Sequence, residues 1–336
     1  MNKAHRKFLL RTVGVSLLAG LALSVAAQTP APKHPKAGPN SPAEAPEIWV
    51  RGNSTERSIA VDKNVNMTLC VTQGNLKING WNRGEIRLVV REGSRFNFKT
   101  QYKNPASGLP ALVSINGYDK KNYASECVWG DEIEIDAPLN ATINVKGKEI
   151  HTTIDTVRKA AVNIIGGDIV LNNVAEGISA STGQGDITVE ASTGPMVLET
   201  TTGNVVVFDC GPREIGDIFR AKTTSGNLSL QQIVYRQIDV NSISGSVLFS
   251  GDVVEGAGYS LGTTNGSIRL QLPSAASFQL AAIFAAGNFT TDIPYKLLTE
   301  NLSPGSVKNI NAKFGKGGES AVKLTTSNGS IAIRKL

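Results

Sequence analysis

A glycine recurs eight times in one sequence context, and this repeat restricts the possible folds more than any other feature. Apolar residues stand two and four positions after each glycine, and apolar or small residues stand seven and five positions before it. Asn, Asp or Ser follows the glycine in all eight copies, and Thr or Ser precedes it by three positions in six. The anchors are Gly74, Gly167, Gly185, Gly203, Gly226, Gly245, Gly266 and Gly329.

The period-two alternation on both sides of each glycine predicts two half-buried strands joined at a turn. Glycine supplies a positive φ at the turn, and the Asn, Asp or Ser side chain can bond nearby backbone. Anchors from Gly167 to Gly266 are 18, 18, 23, 19 and 21 residues apart, and the last interval of 63 contains a degraded copy at Gly287. Because stacked copies bury the stripe that one copy cannot, we predict an all-β fold, a single-chain β-solenoid with coils of about 20 residues.

Two other architectures fit parts of this pattern. A β-sandwich also has short alternating strands, but it gives no reason for one glycine register repeated eight times. Calcium-binding nonapeptide coils require tandem G-G-x-G-x-D, of which 166–168 and 183–186 are only fragments. The repeat therefore favours a solenoid without calcium.

The first 27 residues have the pattern of a secretory signal peptide, with a basic start, an apolar run and small residues before Gln28. Residues 28–47 are rich in Pro and Ala and predict a disordered spacer, and 48–336 form the solenoid domain, with an irregular segment at 89–130. We expect an exported mature chain without a transmembrane segment, located in the periplasm, at the cell surface or outside the cell.

Charge and histidine content exclude several functions. Removal of four basic residues with the signal peptide reduces the formal net charge from +6 to +2, which removes the argument for nucleic acid binding. His151 is the one histidine of the predicted solenoid domain, in what we expect to be an exposed inter-strand segment. One imidazole builds neither a multi-histidine metal site nor a catalytic triad, and we expect no cofactor.

Three cysteines, Cys70, Cys127 and Cys210, leave the disulfide pairing open. Export permits a disulfide, and three thiols allow three pairings with one left over. Cys70 has the opposite parity to Met67 and Leu69, so its side chain should point outward. It is then available to join Cys127 and hold the irregular segment, the pairing that we name as candidate.

Acidic and aromatic residues offer two candidate surfaces in the N-terminal half. Glu132, Glu134 and Asp136 share one strand face, as glycosidase acids or calcium ligands can, yet the markedly basic stretch 77–103 makes cross-strand ion pairing the simpler interpretation. Aromatic rings either stack on sugars or cover the end of a solenoid core. The candidate interaction surface comprises Trp81, Tyr102, Tyr118, Tyr123 and Trp129.

Several segments resemble the bacterial putative-adhesin β-solenoid family, which is similar to autotransporter adhesin heads. Residues 74–83 resemble its opening coil, and the strand 132–138 and the Leu-Pro at 272–273 before Phe278 are similar to later ones. Residues 323–333 resemble its closing strand pair. The resemblance covers 67–88 and 131–336, is poor over 89–130, and implies an exported single solenoid without defined catalytic residues.

We therefore predict a non-catalytic interaction surface at the cell envelope, adhesin-like or scaffold-like, whose partner is an envelope or surface component, protein or glycan. An envelope sensor or accessory protein is the alternative. A polysaccharide lyase or hydrolase of β-helix type, using Glu132, Glu134 and Asp136, is less favoured.

Overall fold

A computed structural model of the protein describes residues 54–103, 108–119, 122–303 and 305–336. All the regular secondary structure within these ranges is β-strand, and the 26 strands are hydrogen-bonded to one another in coils. The predicted all-β solenoid is therefore confirmed. The proposed signal peptide and spacer lie outside the described residues.

The central coils each contain two strands that stack in two parallel columns. First strands form one column, which we call sheet A, and the shorter second strands form sheet B. Sheet A contains β9 (Lys159–Gly166), β11 (Ile178–Gln184), β13 (Met196–Thr202), β15 (Ile218–Ser225), β17 (Gln237–Ser244) and β19 (Gly258–Asn265). Sheet B contains β10 (Ile169–Asn172), β12 (Ile187–Glu190), β14 (Val205–Phe208), β16 (Leu228–Gln231), β18 (Val247–Ser250) and β20 (Ile268–Leu272).

The N-terminal part closes one end of the stack with antiparallel strands. The long strands β2 and β8 run through both columns, and β4–β5 extend sheet A while β1, β3 and β7 extend sheet B. The segment 89–130, predicted to be irregular, thus contains strands without the repeat. The strands are β1 (Ser54–Ala60), β2 (Asn66–Trp81), β3 (Glu85–Gly93), β4 (Arg95–Gln101), β5 (Leu112–Asp119), β6 (Asn122–Glu126), β7 (Gly130–Pro138) and β8 (Thr142–Asp155).

The C-terminal coils do not stack in chain order. The coil of β25 and β26 pairs with β19 and β20 on one side and with β21 and β22 on the other. The hairpin β23–β24 then closes sheet A, where β24 is antiparallel to β21. These strands are β21 (Phe278–Ala286), β22 (Phe289–Thr291), β23 (Tyr295–Asn301), β24 (Lys308–Phe314), β25 (Ala321–Asn328) and β26 (Ile331–Lys335).

This order changes one expectation. Gly287 is a coil corner, as its degraded repeat suggested, but it stacks on Gly329 and not on Gly266. The C-terminal strand β26 has partners on both sides, so it is not an open edge. The apolar residues of the glycine repeat point inward and form one core, and each large buried side chain contributes about 1.5–3 kcal/mol.

Close packing of the coils requires glycine at the corners. A Cβ added to Gly203 would lie 2.0 Å from the carbonyl oxygen of Gly185, the corner glycine of the preceding coil. Gly203 has a φ of 152°, and five other anchors also have positive φ, as predicted. Gly266 and Gly329 are not among the positive-φ glycines, yet an added Cβ would collide in the same way. The close approach of adjacent corners, and not φ alone, requires glycine at these positions.

The Thr or Ser three residues before the glycine has a buried hydrogen-bonding role. Thr223 Oγ1 donates to the Gly203 carbonyl at 2.9 Å, and Ser242 Oγ donates to Gly226 at 2.9 Å. The same bond recurs at Thr182, Thr200, Thr263 and Thr326. Each hydroxyl therefore bonds a corner carbonyl one coil away.

The residue after the glycine forms a second ladder on the exposed side of the corner. Asp186 Oδ1 accepts the backbone N–H of Asn204 at 2.7 Å, and Asn204 Oδ1 accepts that of Asn227 at 2.9 Å. Serines continue the ladder as far as Asn288. The predicted side-chain-to-backbone bonds thus reach the next coil in space and not a neighbour in sequence.

Replacing the corner glycine Gly203 by alanine should destabilise the stack. The Cβ would force two corners apart and hold a strained φ, at a cost of about 2 kcal/mol or more. We expect a lower urea midpoint, measured by circular dichroism. Gly216→Ala is the matched control, because an added Cβ there meets no atom within 4 Å. Equal midpoints for the two variants would contradict the packing argument.

Thr223→Val should weaken the fold by about 1 kcal/mol, because it removes the hydroxyl donor to Gly203 while keeping the shape of the side chain. The neighbouring Thr224 is exposed, so Thr224→Val tests the same substitution outside the ladder. Thermal unfolding of the two variants provides the comparison. A loss of stability at residue 224 equal to that at 223 would refute a specific role for the buried hydroxyl.

Candidate interaction surface

The acidic strand face at 132–136 is neutralised by arginines. Antiparallel pairing of β3 with β7 places Arg91 opposite Glu132 and Arg87 opposite Asp136. Arg91 contacts both Glu132 and Glu134, and Arg87 bonds Glu56 at 2.6 Å and Asp136 at 3.0 Å. The hydrogen bonds that Arg87 donates to Glu56, and then to Asp136, raise the pKa of Arg87. The prediction of cross-strand ion pairing is confirmed, and the three acids face cations instead of an open cleft.

The candidate aromatic residues lie at separate places. Trp81 ends β2 opposite Pro138, bonds the Glu85 carbonyl at 2.7 Å and has Arg83 over its ring. Trp129 is 44% exposed just before the other end of β7, about 27 Å away along that strand.

Of the remaining aromatics, Tyr118 lies near Trp129, because Tyr118 pairs with Arg95 and Trp129 bonds Ser94. Tyr102 is 51% exposed beyond the far end of β4. Tyr123 is in β6, and its side chain lies outside the description. Trp81, Tyr102 and Trp129 thus lie at separate places, and the five predicted residues do not form a single continuous patch.

A disulfide joins Cys70 of β2 to Cys127, 57 residues apart in sequence. Cys127 lies between β6 and β7, so the bond attaches the N-terminal segment to the first coil. A closed loop of this length restricts the unfolded chain by about 4 kcal/mol in the chain-entropy model.

Cys210 is a free, buried thiol. Burial raises its pKa to about 11, and its Sγ lies 3.3 Å from the Phe208 carbonyl oxygen. A protonated, buried thiol is a poor nucleophile at neutral pH.

His151 lies within strand β8 and not in an inter-strand segment, although its side chain is exposed as expected. Its Nδ1 accepts the backbone N–H of Asp168 at 3.3 Å and so begins the exposed corner ladder. Among the residues that the structure describes, no group of three or more His, Cys, Asp or Glu side chains is placed to hold a metal ion.

An open groove crosses the outer face of sheet A. Its volume is about 730 Å³, and it crosses β17, β19, β25, β21 and the terminal hairpin. The floor has small outward residues on three adjacent strands, and larger side chains stand on both sides. The floor consists of Gly258, Ser260, Ala321 and Ala281, and the sides include Gln237, Asp239, Asn311 and Leu298.

The groove carries opposite charges at a fixed separation. Asp239 pairs with Ser260, and Ser260 pairs with Lys323, so the acid and the base stand two strands apart, about 10 Å. Gln237, Gln279 and Asn311 add neutral hydrogen-bonding groups. The groove therefore presents donors and acceptors along an open path with an apolar margin at Leu298, a chemistry that suits binding of an extended polar ligand.

A second cavity continues the polar face of sheet A. It has a volume of about 390 Å³ and is lined by Glu199, Lys222, Asn241 and neighbouring Ser and Thr residues. Sequence reasoning predicted a polar flank but not the groove, because the groove depends on which strands are neighbours. The small outward residues at matching repeat positions, Gly258 and Ala321, were the available signal.

The glycine register and the two-column stack agree with a known family. A family model described as Toastrack DUF4097 matches residues 149–334, more than half of the 336-residue chain. The chain belongs to the Toastrack DUF4097 family. The matched range includes the central coils and the strand pair at 323–333.

The solved structures to which this chain is similar share little sequence with it. A putative adhesin from Parabacteroides distasonis is 8% identical, with a TM-score of 0.45, over 85% of this chain and 98% of its own. A putative lipid binding protein from the same species is 11% identical, with a TM-score of 0.41, over 84% of this chain and 97% of its own. A putative cell adhesion protein from Clostridium sporogenes is 11% identical, with a TM-score of 0.25, over 84% of this chain and 100% of its own.

A comparison with curated proteins gives no match. Within the described ranges, no helix has the length and apolar character needed to cross a bilayer.

The Cys210 thiol should react slowly in the folded protein. Because burial raises its pKa to about 11 and excludes reagent, we expect little labelling by a thiol-specific chromophore at pH 8. One equivalent should react after denaturation without reductant, since Cys70 and Cys127 are joined. Rapid labelling of the native protein would contradict this placement.

Proposed function

We propose that this protein is a non-catalytic, exported β-solenoid that presents an adhesin-like or scaffold-like interaction surface at the cell envelope. The groove across sheet A is the proposed docking surface, and its partner is an envelope or surface component, protein or glycan. Export follows from the signal peptide pattern in residues 1–27, which favours a periplasmic, cell-surface or secreted location.

The groove is the observation that carries this proposal. It is open, extends over several coils, and combines Asp239 and Lys323 with uncharged polar groups. Such a surface can hold an extended ligand through many weak contacts without enclosing a reacting bond. Repeat proteins use extended surfaces of this kind for binding.

The remaining chemistry supports a non-catalytic function. The acids Glu132, Glu134 and Asp136 are paired with Arg91 and Arg87, so they do not form a free acid–base pair. Cys210 is buried, with a pKa near 11. An envelope sensor would use the same groove but would require one specific protein partner in crosslinking experiments.

Co-sedimentation with the envelope fraction of the producing cell tests the proposal. The purified protein should pellet with envelopes at low and at high salt, because a dedicated docking surface uses more than screened charge. The double variant Asp239→Ala/Lys323→Ala should bind roughly five-fold more weakly, since it removes both charges of the groove.

A matched pair of charges on sheet B serves as the control. Glu190→Ala/Arg269→Ala also removes one acid and one base, both exposed and away from the groove. This variant should pellet like the unmodified protein. Absence of pelleting under both salt conditions, or equal loss in both double variants, would reject the groove as the docking surface.

A further inference from the structure

The C-terminal end of sheet A exposes an unusual number of apolar side chains. Among the described strands, the end strand β23 pairs only with β24, and all seven of its residues are exposed. Tyr295, Leu297 and Leu298 expose 43%, 41% and 46% of their surface. Leu302 and Val307, beside the turn of the hairpin, expose 47% and 59%. We call these five residues the C-terminal patch.

The patch differs from other exposed apolar residues in the described ranges. Ile165 and Ile243, for example, are 61% and 51% exposed but stand singly on polar surroundings. Single exposed apolar residues are ordinary on a protein surface, whereas a cluster marks an interaction site. Stacking explains part of the exposure, because Tyr295 ends a column of rings above Phe314 that no further coil covers.

Basic residues surround the patch. The paired end strands β23 and β24 contain Lys296, Lys308 and Lys313 against the single acid Glu300, a formal charge of +2 from three lysines and one glutamate. The two end strands thus place an excess of lysines next to the exposed apolar side chains.

We infer that the C-terminal patch binds an anionic lipid surface. Apolar side chains that enter the boundary between headgroups and acyl chains, with lysines at the phosphate level, are the requirements for peripheral binding. Lysine stems also cover apolar surface while their ammonium groups reach the headgroups. The patch lies along the terminal strand of the stack and beside its turn, at the edge of sheet A.

The details of β23 favour a lipid surface over an added strand or a second copy. A bulge between Leu297 and Thr299 interrupts the register of the strand, which makes its free edge an irregular template for pairing. The exposed Lys296 on an edge strand also opposes strand addition. Leu302 and Val307 lie outside the strand, so a paired strand would leave them uncovered.

A small cavity beside the turn adds to this picture. It has a volume of about 390 Å³ and is lined by Phe284, Phe289, Leu302, Ile310 and Lys308, among others. The Lys308 ammonium lies 5.6 Å from the centre of the Phe284 ring. A cation at the mouth of an apolar recess matches the arrangement of a phosphate headgroup above an acyl chain.

Vesicle flotation tests this inference with the purified protein. We expect it to float with vesicles of phosphatidylcholine containing about one-third phosphatidylglycerol, and not with phosphatidylcholine alone. Leu302→Ser/Val307→Ser should weaken binding about ten-fold or more, because it removes the apolar contacts. Lys296→Gln/Lys313→Gln, at a pair of facing positions on β23 and β24, should weaken it and reduce its salt dependence.

Matched variants elsewhere on the surface control for general effects. Ile165→Ser/Ile243→Ser removes two exposed apolar residues, and Lys159→Gln/Lys222→Gln removes two exposed lysines. Both should bind vesicles like the unmodified protein. Absence of binding to anionic vesicles, equal binding to neutral ones, or equal losses in patch and control variants would overturn the inference. Size-exclusion chromatography that shows a dimer dependent on Leu302 and Val307, without vesicle binding, would replace it with self-association.

The C-terminal patch shares Leu298 with the proposed docking groove, and the variants that test the two proposals leave that residue unchanged. Asp239→Ala/Lys323→Ala should leave vesicle binding unchanged, whereas Leu302→Ser/Val307→Ser should leave lipid-free envelope ligands bound. The two experiments can therefore fail separately.

Discussion

Contact between glycine backbones at the coil corners is the constraint on which the rest of the solenoid depends. From Gly185 onward, each corner glycine lies so close to the corner glycine of the adjacent coil that a side chain would collide with its carbonyl oxygen. This approach sets the spacing between coils, and it aligns a buried hydroxyl ladder on one side of the corner and an exposed ladder on the other. Because the corners are in register, the rows of buried apolar residues in sheets A and B are also in register.

The same constraint explains what the sequence could predict. The glycine contact leaves a local signature in every coil, so the coils at Gly185 or Gly245 were recognisable individually. The position of the last coil was not, because the repeat encodes how coils join but not which coils are neighbours. The antiparallel strands β3–β6 have no repeat at all, and their pairing depends on contacts such as that between Arg91 and Glu132.

The groove on sheet A depends on this non-sequential order. The groove floor includes Gly258, Ala281 and Ala321, which lie on three adjacent strands. Ala321 is 40 residues or more from each of the other two in sequence. Small residues that are unremarkable singly become a floor once these strands are side by side. The charges of Asp239 and Lys323 face each other across Ser260 for the same reason. A candidate surface of this type requires the three-dimensional neighbours and not only the residue pattern.

The insertion of the coil 321–336 between two earlier coils also sets a rule for the order of assembly. Coils from β9 to β20 can add one by one as the chain lengthens, since each pairs with the coil just before it. The coil of β21 and β22 cannot take its final place in that way, because its neighbour comes later in the chain. The stack therefore stays open at this end until β25 and β26 arrive, and these later strands lie between earlier ones. The β21–β22 coil can be seated on the stack only after β25 and β26 have been synthesised.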